Sequence, residues 1–250
     1  MRTEREYLKS QELKKQGFNN FEISKLLNIP RTTISGWSRK KPNFEKKNKI
    51  DPKSYILENK LEKTYSYILG LYLGDGYINK MPRTHRLRIF NDTKYKDLNI
   101  HIMNQLKLLF PKNKVNIINH GNFLTIYVYS NMITPLFPQN GKGKKHNRKI
   151  KLFNWQTDII IPQYIIMGLI HSDGCYYYRT VNNKKYFSYD FKNKSRDLHQ
   201  ILQHYCNEIG IRSTSPDDSK SGRASATHIY KNEDVTKLRN LIGNKYQIIW

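Results

Sequence analysis

Two stretches decide the reading of this chain: Leu69-Gly70-Leu71-Tyr72-Leu73-Gly74-Asp75-Gly76 and Gly168-Leu169-Ile170-His171-Ser172-Asp173-Gly174. Each is an apolar run with small residues four apart, closed by Asp-Gly. Further matches follow in the same order. Lys96-Asp97-Leu98 aligns with Arg196-Asp197-Leu198, Ile133-Thr134 with Val235-Thr236, and Gly143-Lys144-Lys145 with Gly243-Asn244-Lys245. The offset stays between 98 and 102 positions throughout. Ordered matches at a nearly constant offset are the signature of a duplicated unit whose loops alone differ in length.

Each copy has the same coarse layout. An apolar helix comes first (Tyr65 to Gly74; Gln163 to Ser172), then a two-stranded ribbon (Tyr77 to Asn91; Cys175 to Lys192) and an amphipathic helix (Lys94 to Phe110; Ser195 to Ile209). Leu98, Ile102, Leu106 and Leu109 carry the helical spacing. A second ribbon is clearest in the first copy, where Leu124, Ile126 and Val128 alternate with polar or aromatic neighbours after a turn at His120-Gly121-Asn122. A short helix closes each copy (Asn131 to Phe137; Asn232 to Ile242). The expected fold class is α+β, with αββαββα repeated twice about an internal pseudo-two-fold axis.

Asp75 and Asp173 break a local rule at equivalent places. A carboxylate at a helix C-terminus faces the negative end of the helix dipole, at a cost of about 0.3–1 kcal/mol. A divalent cation such as Mg²⁺ reverses that sign and favours both acids. Small residues at Gly70, Gly74, Gly168 and Ser172 let the two helices approach and bring the acids together. An Asp that merely caps its Gly turn is the alternative; its repetition on two small-residue helices favours the metal site.

The surrounding composition fits a polyanionic partner. The 250 residues include 44 Lys plus Arg and 20 Asp plus Glu, a formal net charge of +24. Such an excess opposes compaction through self-repulsion and attracts nucleic acid. Apolar residues make up 38% of the chain, with 12% aromatic, enough for a core. There is no long apolar run, signal-peptide core or lipidation motif, so no membrane association is expected. Cys175 and Cys206 alone exclude a disulfide scaffold and a cysteine zinc site. The expected setting is cytoplasmic and nucleoid-associated, with double-stranded DNA as partner and a monomer as the working state.

The N-terminal residues 1–41 read as a separate all-α module. Thr3-Glu4-Arg5-Glu6 is a capping box, and its helix runs to a stop at Gly17. A second helix carries Ile23, Leu26 and Leu27. Asn28 tolerates a left-handed turn, and Pro30 opens a third helix at its first turn, with Ile34 and Trp37 on one side. The stretch Gly17 to Trp37 resembles the helix-turn-helix family. That resemblance implies that the helix from Arg31 to Lys40 enters a major groove, with Arg31, Thr32, Thr33 and Ser35 toward base edges and Arg39, Lys40 and Lys41 on phosphates. Residues 42–60, with Lys46, Lys47, Lys49 and Lys53, read as a basic linker.

From Leu61 onward the chain resembles the LAGLIDADG homing endonucleases in their single-chain, two-motif form. The residues Leu69 to Gly76 form a near-complete motif; the second copy departs at His171 and Ser172 but keeps its acid. The resemblance implies two saddle-shaped sheets along DNA, repeats at 61–140 and 161–250 joined by an inter-repeat linker at 141–160, and divalent metal held between scissile phosphates by Asp75 and Asp173. It also implies that a lysine after the closing helix orders metal-bound water, a role that falls on Lys145 and more weakly on Lys245. A narrower resemblance is to bacterial proteins that join a helix-turn-helix to a LAGLIDADG-like region and are often labelled transcriptional regulators. It is carried by Leu136-Phe137-Pro138-Gln139, Gly141 to Arg148, Trp155-Gln156 and Gly168 to Gly174.

Gly141 to Lys151 holds six basic residues and no acid, so Lys142, Lys144 and Arg148 are expected on phosphates. On the first ribbon, Arg86 and Arg88 share one face and Leu87 and Ile89 the other; arginines on a ribbon suit guanine edges. His146 and His171 receive no role. Two functions follow: a metal-dependent, site-specific double-strand DNA endonuclease, or a non-cleaving DNA-binding regulator on the same scaffold. Nothing positive favours an RNA maturase, and Ile248-Ile249-Trp250 is not an intein-like junction.

Overall fold

Thr3 and Glu6 cap the first helix reciprocally, as their spacing predicts: the Thr3 side chain accepts from the Glu6 amide while Glu6 accepts from the Thr3 amide at 2.6 Å. The computed structural model describes residues 2–42, 51–216 and 224–250. The chain divides into two compact units, Met1–Lys49 and Ile50–Trp250.

In the first unit, α1 (Glu4–Lys15), α2 (Asn20–Leu27) and α3 (Arg31–Arg39) enclose a small core of Ile23, Ile29, Ile34 and Trp37. Tyr7 meets Trp37 edge-on at 5.7 Å and ties α1 to α3. Asn28 takes the left-handed conformation (φ 50°) that turns α2 toward α3. Two expectations need correction. Leu26 is exposed, because Ile23 and Leu27 already fill the inward arc of an eight-residue helix. Pro30 stands at the N-cap of α3, one position before its first turn.

The second unit starts earlier than expected. Within residues 42–60, Asp51 caps α4 (Pro52–Glu58), with Pro52 at a position where a missing N–H costs nothing. Ile56 of this helix is fully buried in the main core and Tyr55 donates to the Leu109 carbonyl at 2.8 Å, so Asp51 to Lys60 is not linker. Lys46, Lys47 and Lys49 lie outside the described residues.

The first repeat runs α5 (Glu62–Leu73), β1 (Gly76–Lys80), β2 (His85–Asp92), α6 (Lys96–Leu109), β3 (Val115–Asn119), β4 (Phe123–Ser130) and α7 (Ile133–Leu136). Its strands form an antiparallel sheet in the order β1-β2-β4-β3. After α8 (Asn154–Thr157), the second repeat runs α9 (Pro162–Asp173), β5 (Gly174–Val181), β6 (Lys184–Asn193), α10 (Arg196–Glu208), β7 (Ser225–Ile229) and α11 (Asn232–Ile242). Its sheet is ordered β5-β6-β7. Since β7 pairs with β6 as β4 pairs with β2, the two sheets share one plan. Among the described residues the second sheet has three strands rather than the four expected.

Period-two alternation decides which sheet faces are buried. Leu87, Ile89, Ile126 and Val128 turn inward under α6, whose Leu98, Ile102, Leu106 and Leu109 are all buried. Tyr189, Phe191 and Ile229 do the same under Leu198, Leu202 and Tyr205 of α10. Helices α5 and α9 are buried almost all round and pack against each other, which is why their sequences lack the polar stripe of a surface helix.

The segment at 141–160, expected as a linker, is anchored. Gln156 donates to the Tyr65 hydroxyl at 2.6 Å, and Tyr65 to the Leu136 carbonyl at 2.7 Å. Gln139 donates to Gln156 and to the Lys151 carbonyl. A buried amide must find partners or forfeit its solvation, so this network fixes the path between the repeats.

Candidate active site at the seam of the two repeats

The site is built on close contact between α5 and α9. A Cβ on Gly70 would stand 2.5 Å from the Ile165 carbonyl oxygen and 2.9 Å from the Gly168 Cα; one on Gly168 would collide with the Tyr67 carbonyl oxygen. One turn on, a Cβ on Gly74 would strike the Ser172 side chain and come within 2.8 Å of Asp173 Oδ2. The departure at Ser172 is therefore matched: the larger residue in one helix faces a glycine in the other. Helix α5 ends at Leu73, so Asp75 follows it, whereas Asp173 is the last residue of α9.

The two acids converge. Burial raises the Asp75 carboxyl above its ordinary pKa, against the opposing pull of Lys245 and Lys145. Asp173 is pushed up to about 6, first by burial and then by the negative charge of Asp75. Asn193 Nδ2 donates to Asp173 Oδ2 at 2.8 Å. Neither acid forms an ion pair among the described residues.

Each motif helix has a lysine at its end. Lys145, in a single 3-10 turn at Lys145–Asn147, donates from Nζ to the carbonyl oxygens of Tyr72, Gly74 and Gly76, the last at 2.8 Å. Lys245 donates to the Ser172 carbonyl at 2.7 Å. Both ammonium groups therefore complement the negative helix ends that the acids oppose. Burial pulls Lys145 down to about 8, while Asp173 and Asp75 hold it up; Lys245 is lowered by burial against the same two acids. A cavity of about 470 Å³ opens beside Asp173, lined in part by Tyr72, Gly141, Lys144, Lys145, Arg148 and Asp173 itself.

The donor set fits a divalent cation. Two partly buried carboxylates repel each other, and a bound cation would relieve both the repulsion and the desolvation. Among the described residues no group of three His, Cys, Asp or Glu converges. A cation here would complete its shell with backbone carbonyls, water or a ligand's own oxygens.

The remaining predicted residues take distinct places. Arg148 is half-buried in the cavity wall, and Lys142 and Lys144 are exposed. Arg86 and Arg88 share the open face of the first sheet, with Leu87 and Ile89 buried opposite. Their guanidinium groups lie over aromatic rings, Arg88 at 5.2 Å from both Tyr77 and Phe90 and Arg86 at 5.7 Å from Tyr127. Arg31, Thr32, Arg39 and Lys40 are exposed on or just after α3, with Thr33 and Ser35 half-buried. His171 is buried, accepts or donates through Nδ1 with the Tyr67 hydroxyl at 3.1 Å, and is pulled down to about 3 by burial. Sequence reading missed Asn193, although the register supplies a signal: Gly76 faces Ile89 and Gly174 faces Phe191, so Asn91 and Asn193 occupy matching positions in the two repeats.

The fold and seam are similar to those of solved homing endonucleases, and the match to a family model falls on the second repeat. Residues 162–243 match the family model of the LAGLIDADG-like domain. Solved structures agree. The homing endonuclease I-DmoI in complex with DNA and Mn aligns with a TM-score of 0.52 at 21% identity, covering 73% of this chain and 97% of that one. I-DmoI with DNA and Ca aligns at 0.50 and 20% identity, covering 71% and 87%. The homing endonuclease I-WcaI bound to its DNA recognition sequence aligns at 0.50 and 17% identity, covering 75% and 83%. At these identities the likeness establishes the fold. No curated protein matches at a significant level. No helix among the described residues is long and apolar enough to cross a membrane.

Proposed function

We propose that this chain is a metal-dependent, site-specific double-strand DNA endonuclease acting as a monomer, with both half-sites addressed by one polypeptide. The observation that carries this reading is the meeting of Asp75 and Asp173 at the helix seam, each destabilised as an anion and each beside a helix-end lysine. A divalent cation such as Mg²⁺, held by these two carboxylates, would supply charge stabilisation at a phosphodiester and a more acidic water. The chain's own groups do the rest. Asn193 fixes the Asp173 carboxylate. Lys145 and Lys245 keep positive charge next to the position where negative charge grows on the phosphate. Lys142, Lys144 and Arg148 draw the backbone toward the cavity, and Arg86 and Arg88 address base edges from the first sheet.

The N-terminal module is read as a helix-turn-helix whose α3 enters a second stretch of major groove, through Arg31, Thr32, Thr33 and Ser35, with Arg39, Lys40 and Lys41 on phosphates. I-DmoI and I-WcaI, whose structures hold DNA, support a DNA substrate for the shared scaffold. A compartment that contains DNA, the bacterial cytoplasm, follows from this reading.

One observation favours a non-cleaving regulator instead. Lys145 commits all three of its N–H donors to carbonyl oxygens, which leaves none for water. Incubation of the full chain with a supercoiled plasmid library and Mg²⁺ decides between them: linear product supports the endonuclease, and tight site-specific binding without linear product supports the regulator.

A further inference from the structure

The strand register exposes a difference between the repeats at one matched row of their open faces. In the first sheet the row is Tyr77–Arg88–Tyr127. In the second, counted from the same Gly-opposite-aliphatic-or-aromatic anchor, it is Cys175–Asp190–His228. A cation flanked by aromatic rings in one repeat is thus an acid paired with an imidazole in the other. The neighbouring arginine position, Arg86, is Ser188 in the second sheet.

Asp190 is 5% exposed and is held from two sides on one oxygen. His228 Nδ1 lies 2.6 Å from its Oδ1, and the Tyr177 hydroxyl donates to the same atom at 3.2 Å. Lys192 and Cys175 are exposed on the same face. No Lys or Arg pairs with Asp190 among the described residues. A hydrogen-bonded pair of this kind adds little net stability, and the first repeat fills the same row with an Arg–aromatic stack. The carboxylate has a clear consequence, however. It fixes the proton of a neutral imidazole on Nδ1 and leaves Nε2 as an acceptor. The His228 side chain is one-third exposed, so that acceptor is available on the open face.

We propose that His228, with Asp190 as its positioning residue, selects an exocyclic amine in the major groove of the second half-site, cytosine N4 or adenine N6, where Arg88 selects the acceptors of guanine in the first. The two halves of the target are then non-equivalent at pseudo-symmetric base pairs. The proposal rests on the reading of the chain as a site-specific DNA-binding protein.

The test is selection of a randomised duplex library at pH 8 by the full chain carrying Asp75→Asn and Asp173→Asn, which removes cleavage and central charge repulsion. Guanine is expected at one position and cytosine or adenine at its pseudo-symmetric partner. Arg88→Gln should relax only the first. His228→Phe should relax only the second, with preference falling about 5- to 10-fold, the low end of a base-edge contact. Asp190→Asn keeps the side-chain shape but frees the tautomer, and should relax the same position as His228→Phe. Guanine at both positions, or a second position untouched by His228→Phe and Asp190→Asn while a site is still enriched, overturns the proposal alone. Enrichment of no sequence by any variant overturns the DNA-binding reading itself.

Discussion

Gly70 and Gly168 meet across the α5–α9 seam with no room for a methyl group: a Cβ on either would stand 2.9 Å from the Cα of the other. This contact sets the separation of the two helices and hence of the acids at their ends. The Gly168→Ala substitution should therefore cost stability by overpacking, about 1–3 kcal/mol. Thermal unfolding measures it, as a fall in Tm of several degrees. An unchanged Tm would show that the seam is looser than described.

Asp173 gives a signed pH dependence. Burial and the charge of Asp75 raise its folded pKa to about 6, above the ordinary carboxylate range. The folded state therefore favours the proton, and metal-free stability from this group declines as pH rises through that window. His101 and His171 run the other way, since burial lowers them to about 4 and about 3. The difference between Asp173→Asn and wild type isolates the aspartate. In chelator the variant should gain on wild type from pH 4 to 6 and hold that gain above it. A difference that is flat with pH would contradict the burial and repulsion assigned to Asp173.

Proton and cation compete for the same carboxylates. Calorimetric affinity for Mg²⁺ in the presence of DNA should fall as pH drops below about 6. It should be lost in Asp75→Asn and in Asp173→Asn at every pH. Equal affinity at pH 5 and pH 8 would place the cation elsewhere.

Lys145 and Lys245 differ in their ties to the fold. Lys145 donates to three carbonyl oxygens and Lys245 to one. Lys145→Met should be destabilising by about 1–3 kcal/mol, because it leaves partly buried acceptors unpaired, and Lys245→Met by less. Denaturant unfolding ranks the two. The reverse order would contradict the capping described at Lys145.

Deleting residues 1–41 should shorten the DNA footprint and flatten the salt dependence while leaving cleavage chemistry intact, because both acids and both lysines lie in the second unit. A protein making 6–10 phosphate contacts loses about 10³–10⁵ in affinity between 50 and 200 mM salt, so removal of several contacts is readily measured. An unchanged footprint and slope would show that α3 does not touch DNA.

Much of this was legible because duplication repeats its own signals. The Asp-Gly step, the small residues of the motif helix and the helix-end lysine each occur once per copy, and local rules also placed the Thr3–Glu6 cap and the Asn28 turn. What escaped depends on register between distant strands. His228 finds Asp190 only because β7 pairs with β6, and no local pattern encodes that pairing. Asn182 and Asn183, both at positive φ, turn β5 into β6; two consecutive Asn between strand-like runs were an available sign. Helix α4 was hidden because seven residues in a lysine-rich stretch carry too little periodicity to stand out.

The most direct test of the central claim is sequencing of DNA ends from a randomised duplex library incubated with the full chain and Mg²⁺. The account predicts double-strand breaks at one recurring site, absent without the cation and absent in Asp75→Asn and Asp173→Asn although both variants still bind that site. Recurring breaks that persist in both variants would contradict it, as would a wild-type protein that binds one site and never cuts.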